Sequence, residues 1–254
     1  MVGKRRQHFA SCGKQSVVSK RGLITLPKLS RGLSLVELMI SLAVGLFIIA
    51  GVVHVLNNNK KAFATQNALS RLQEEGRFAL EELTRLISMA RYDDPANAFA
   101  PLSPGIEGSN DPDSITLRFE GGAGINDCLG TPTTVGATVV GTINVDAAGD
   151  LACTDAGGTT NKIARGVESL QILYGLDTDA DGVPNRYLTA AGVVAAGGNW
   201  VNIVTARAGL LMRTPDELAP AADTATYTVL DSVIDPINDR RLRRIFTTTV
   251  RIRN

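Results

Sequence analysis

The sequence predicts an α+β fold in which one long N-terminal helix packs on an antiparallel β-sheet head. Three observations carry this expectation. An apolar run of membrane length begins near residue 33, and a proline-free stretch with a helical apolar stripe continues it to Arg91. Beyond Asp93, apolar residues alternate in short segments separated by Gly, Asp and Pro.

From Leu38 to Val53 there are sixteen residues without a charge, and the run reaches Leu56 across His54. Counted from Leu33, it is about long enough to span ~30 Å of hydrocarbon as a helix. The flank before it carries eight basic residues (Lys4, Arg5, Arg6, Lys14, Lys20, Arg21, Lys28, Arg31) and no acid. The net charge of +1 therefore hides an asymmetry: residues 33–254 hold 18 basic and 25 acidic side chains, a net of −7. A basic flank stays cytoplasmic and sends the C-terminal part outward. An acidic exported part argues against nucleic-acid binding through a charged surface.

Glu37 interrupts the apolar run at its fifth position. A carboxylate in a bilayer costs roughly 2.5–3.5 kcal/mol even on lenient scales, so something must neutralise it. Cleavage between Gly32 and Leu33 would create a free amine as its partner, in a neighbouring subunit of a filament. Two other readings compete. A secretory signal peptide needs a small-x-small site next to the run, but Asn57-Asn58-Asn59-Lys60-Lys61 separates Ala62-Phe63-Ala64 from it. An uncleaved anchor leaves Glu37 unexplained.

Between Lys60 and Arg91, Leu69, Leu72, Gly76, Ala79, Leu80, Leu83, Ile87 and Ala90 recur at three- and four-residue steps and predict one buried stripe. Arg71, Glu74, Glu75, Arg77, Glu81, Glu82 and Arg85 fall mostly opposite. A helix from Leu33 to Arg91 would be roughly 88 Å long at 1.5 Å per residue. Gly45 and Gly51 are positions where it could bend or admit a neighbour. Asp93-Asp94-Pro95 is its stop signal.

Strands are expected around Ile115, Leu117 and Phe119, around Leu170, Ile172 and Tyr174, and from Trp200 to Met212 with a break at Gly209. Tyr227–Leu230 is a weaker candidate, and Phe246, Thr248, Val250 and Ile252 share one face of a last strand. Without long helices between them, these strands form an antiparallel sheet, whose apolar face packs on the helix stripe. Residues 121–160, rich in Gly and Thr, read as an extended loop. Cys12 would leave with the leader. Cys128 and Cys153 remain, either as a disulfide in an oxidising compartment or as two buried thiols; little apolar sequence flanks them, which favours the disulfide. Trp200 reads as core.

Asp177-Thr178-Asp179-Ala180-Asp181-Gly182-Val183-Pro184-Asn185 has the front half of a calcium loop. Asp177, Asp179 and Asp181 would supply carboxylates, Val183 its carbonyl, and Asn185 a ligand directly or through water. Position twelve is Leu188, so the bidentate glutamate is missing and binding would be weak. The competing reading is a solvated acidic turn.

The only histidines are His8 and His54. Beyond the apolar run, a Ser-His-Asp triad, a Cys-His pair and a histidine zinc site are therefore excluded. Gly121-Gly122-Ala123-Gly124 lacks the lysine of a phosphate loop. No enzymatic activity is expected and no cofactor is required, calcium being the one candidate ion.

The Gly32–Glu37 pattern resembles the class III signal of type IV prepilins. Arg71–Leu80, Val167–Gly175 with the acidic loop behind it, and Arg243–Asn254 are in turn similar to blocks of the PilW family of type IV pilus minor pilins. The resemblance implies a leader (1–32), a membrane or filament-core helix (33–56), its amphipathic continuation (57–92) and a periplasmic head (93–254). It implies that a prepilin peptidase cuts at Gly32–Leu33 and methylates the new amine, which pairs with Glu37 between subunits. The partners implied are other minor pilins and the major pilin. The place implied is the inner membrane of a Gram-negative bacterium, then the pilus at the cell surface. Priming of assembly and a place near the fibre tip belong to the same reading. The chain departs from the family in two ways. Its leader exceeds the handful of residues usual in type IVa prepilins, which leaves the true start open, and Arg91 stands where family helices often carry glycine. A minor pseudopilin of type II secretion, or a calcium-dependent adhesin carried on the pilus, are the alternatives.

Overall fold

A computed structural model of the chain describes residues 32, 34–93, 104–110, 113–235 and 237–252. Helix α1 (Leu35–Met89) is followed by strands β1 (Ile106–Asn110), β2 (Asp113–Glu120), β3 (Thr138–Val145), β4 (Asp150–Asp155), β5 (Thr160–Arg165), β6 (Val167–Leu176) and β7 (Arg186–Leu188). A short helix α2 (Ala190–Ala195) and a 3-10 turn (Trp200–Asn202) lead to β8 (Ile203–Glu217), β9 (Tyr227–Val229), β10 (Ser232–Ile234) and β11 (Arg241–Arg251). The chain divides into two units between Val53 and His54.

In the first unit, α1 from Leu35 to Val53 presents leucine, isoleucine, valine and phenylalanine all round, and these side chains are exposed. This part is long and apolar enough to cross a membrane, and none of that apolar window is buried. Glu37 lies in its first turn, where a negative charge favours the positive end of the helix dipole.

In the second unit the amphipathic half of α1 buries Leu72, Gly76, Ala79, Leu83, Leu86 and Ile87. The expected stripe is present, with Leu86 added and with Leu69 and Leu80 only half-buried. Fully burying side chains such as Leu83 and Ile87 contributes about 1.5–3 kcal/mol each. The helix ends at Met89, ahead of the Asp-Asp-Pro signal, because Arg91 adopts φ 69°. There its N–H donates to the Arg118 carbonyl at 2.8 Å, so an arginine takes the left-handed role that glycine usually fills after a helix.

Two antiparallel sheets replace the single one expected. The first has the order β1-β2-β3-β4-β5 and the second β11-β8-β6-β7, with β9 and β10 as a separate hairpin. β6 packs on β2, β3 and β4, and the core runs continuously from the helix stripe through Ile115, Leu117 and Ile143 to Leu170, Ile172 and Leu210.

Residues 121–160 are not an extended loop. They contain β3 and β4, and β5 begins at Thr160. The composition misleads because three of its glycines close compact turns of one design and Gly141 lies within β3 itself. In Asp127–Gly130, Asp146–Gly149 and Asp155–Gly158 the aspartate side chain accepts backbone N–H groups just ahead of it. Each turn closes on a glycine at φ near 80°. The β-branched Val139, Val140, Thr142 and Ile143 between these turns pair with β2. β8 also differs from expectation: it starts at Ile203 and passes through Gly209 unbroken. A Cβ at Gly209 would lie 2.8 Å from Val229, so this glycine admits the β9–β10 hairpin.

Candidate functional site

Gly32 is exposed, whereas Leu33 and residues 1–31 lie outside the described residues. The expected junction is therefore described on one side only. Helix α1 places Glu37 one turn in and exposed, with its carbonyl accepting from the Ser41 hydroxyl at 2.7 Å.

Cys128 and Cys153 form a disulfide with Cα atoms 6.1 Å apart. It ties the 121–137 turn region to β4 beneath the helix, in line with export to an oxidising compartment. Trp200 packs edge-on against the buried Tyr174, ring centroids 4.9 Å apart, which gives it a core role.

The acidic loop spans the β6–β7 connection. Its ends are fixed by Asn185 N–H donating to the Leu176 carbonyl and Asp177 N–H to the Asn202 carbonyl, both at 2.9 Å. Ligand oxygens of Asp177, Asp179 and Asp181 lie within 4.8 Å of one another. Asp177 is buried and organises the turn: it accepts from the N–H groups of Asp179 and Ala180 on one oxygen and of Gly182 on the other. Desolvation pushes its carboxyl up, but the Gly182, Ala180 and Asp179 donors outweigh this and hold it below the usual carboxylate range. Asn185 Nδ2 donates to Asp179 at 3.2 Å, while its oxygen accepts from the Thr178 N–H and hydroxyl. Val183 donates its N–H to Asp181. The five predicted residues thus share one loop, with Asp179 and Asp181 exposed, and Leu188 lies in β7 outside it.

A second charged constellation was missed by the sequence reading. Arg243 in β11 is almost wholly buried and pairs with Glu168 at 2.6 Å, Asp239 at 2.7 Å and Asp223 at 3.2 Å. It fastens the 218–240 segment over the second sheet. Arg243 stands among Arg240, Arg241 and Arg244, and Glu168 opens a strand beside Ser169, so the sequence singles out neither of them.

Helix α1 thus has an exposed apolar half from Leu35 and an amphipathic half whose stripe joins the core of the second unit. Residues 142–254 match the family described as Type IV Pilus-assembly protein W, and residues 27–53 match the Prokaryotic N-terminal methylation motif. The chain thus carries a match to a PilW domain behind a match to a prepilin-type signal. Among solved structures, a type IV-like pilin from Thermus thermophilus is similar at 17% identity, over 72% of this chain and 97% of that one, with a TM-score of 0.47. No curated protein matches the chain.

Proposed function

We propose that the chain is a minor pilin of a type IV pilus. Prepilin peptidase cuts it between Gly32 and Leu33 and methylates the Leu33 amine. Until assembly the protein spans the inner membrane once, with its head in the periplasm. It then joins other minor pilins to prime the fibre and resides at or near the tip, in contact with the major pilin. The observation that carries this reading is the continuous exposure of the apolar helix half in a chain whose second unit buries its own helix stripe. Such a surface needs first lipid and then neighbouring helices of the same kind. Glu37 fits both states if the terminal amine of an adjacent subunit neutralises it.

Mass spectrometry of the purified cellular protein tests the junction. A mature N-terminus at methylated Leu33 is expected, and a form beginning upstream of it would overturn the assignment. Gly32→Leu should leave the precursor uncut. Glu37→Ala should remain membrane-inserted but fail to enter fibres, and normal piliation in that variant would remove the pairing.

We further propose that the acidic loop takes calcium weakly, through Asp179 and Asp181 with Asp177 behind them, the Val183 carbonyl and Asn185. The support is the convergence of three carboxylates around a tight turn of the kind calcium loops use. Calorimetry of the purified protein should show binding at millimolar calcium. No heat of binding, together with unchanged melting in chelator, would leave a plain acidic turn.

A further inference from the structure

One cleft in the second unit joins two stretches of chain that the pilin reading leaves without a task. Lys60 and Lys61 of α1 meet Arg240, from the turn before β11, across a 580 Å³ cavity that Leu218 and Pro220 also line. All three basic residues are exposed. Arg240 is held in place by its Nε, which donates to the Ala219 carbonyl at 2.8 Å. Glu217 is the single acid lining the cavity, so the local balance is basic although residues 33–254 as a whole are acidic.

The position of this cluster along the helix selects its partner. Lys60 and Lys61 follow Leu56, the last apolar residue of the run, by four and five residues, a rise of roughly 6–8 Å. The polar layer on each side of a bilayer is roughly 5–7 Å deep. Both lysines therefore fall at the depth of lipid phosphates, and Arg240 shares their cleft. Arg71, the next basic residue on the helix, lies roughly 22 Å from Leu56, well beyond a screening length of about 8 Å.

We propose that Lys60, Lys61 and Arg240 form a docking patch for the head groups of anionic phospholipids, holding the head against the bilayer before assembly. The proposal rests on the reading of residues 33–56 as a membrane span. Each basic side chain near an anionic surface is worth roughly a five-fold preference, so a net of two charges gives roughly 25-fold.

The full chain is reconstituted in vesicles of phosphatidylcholine alone, or with phosphatidylglycerol added, and followed by flotation and hydrogen exchange. Residues 57–65 and 215–221 should gain roughly ten-fold protection or more in the phosphatidylglycerol vesicles. That gain should disappear in Lys60→Gln/Lys61→Gln/Arg240→Gln and survive in Lys60→Arg/Lys61→Arg. Equal protection in the two lipids, or a gain retained by the triple glutamine variant, would overturn the patch. Failure to float with either vesicle would instead overturn the membrane span, and the patch with it.

Discussion

Phe246 of β11 lies against the α1 backbone at Gly76, so closely that a Cβ placed there would fall 2.4 Å from the ring's Cζ. The contact locks the amphipathic half of the helix to the last strand, two segments 170 residues apart. Gly76→Leu should therefore destabilise the head. Helix propensity favours leucine over glycine by about 0.8 kcal/mol, but overpacking costs about 1–3 kcal/mol, and the ring is hemmed in by helix and sheet. Urea unfolding should show the loss, and Phe246→Ala in the same background should recover part of it. A variant as stable as the parent would mean that the ring moves aside freely.

The Cys128–Cys153 bridge closes a sequence separation of 25 residues. On the loop-entropy account it stabilises the fold by about 3 kcal/mol. Reduction, or the paired change Cys128→Ala/Cys153→Ala, should lower the melting temperature by several degrees, roughly as that free energy implies for a domain of this size. Melting curves with and without reductant check this, and coincident curves would show that the bridge does not constrain the unfolded chain.

The elements legible in the sequence are those where one periodicity dominates. The stripe from Leu72 to Ile87 and the alternation in β2, β6 and β11 follow from burial on one side. The acidic loop was equally legible, because its residues are adjacent in the chain and fold on themselves. Illegible were features set by long-range pairing. β3 and β4 hid in a Gly/Thr-rich composition in which three glycines close turns between strands. The division into two sheets depends on β6 pairing with β8 across an intervening excursion. The Arg243 cluster draws partners from 4, 20 and 75 residues away, and no local pattern announces it.

Arg243 makes the head's stability sensitive to acid. Asp223 is held below the usual carboxylate range by the Tyr227 hydroxyl first and by Arg243 after it, and Asp239 by Arg243 first. A folded-state value below the unfolded value of about 3.9 means a contribution fully present above that pH. It is lost as pH falls through the lower folded-state values. Arg243→Met should cost about 3 kcal/mol at neutral pH, because it removes the nearest cation of Glu168, Asp223 and Asp239 together and leaves only the longer pairs with Arg213 and Arg241. The deficit should shrink below about pH 4, as these acids protonate. Chemical unfolding at pH 7 and pH 3 distinguishes this from a simple packing loss, which would leave the deficit constant.

Asp113 works in the opposite direction and in a separate window. Its carboxylate accepts the Ile172 N–H at 3.1 Å, linking β2 of the first sheet to β6 of the second. Burial pushes its carboxyl up to about 6; the Ile172 donor opposes the shift and the charge of Asp231 adds to it. The folded-state value lies above the unfolded one of about 3.9, so the protonated form favours folding. That contribution is complete below about pH 4 and is lost as pH rises through about 6. The parent should therefore melt at a lower temperature at pH 7 than at pH 5. Asp113→Asn keeps an oxygen to accept the Ile172 N–H and cannot ionise. It should raise the melting temperature at pH 7 and flatten the profile between pH 5 and pH 7. A variant profile with the parent's slope would place the titrating group elsewhere, and a loss of stability at both pH values would show that the Ile172 bond requires the carboxylate.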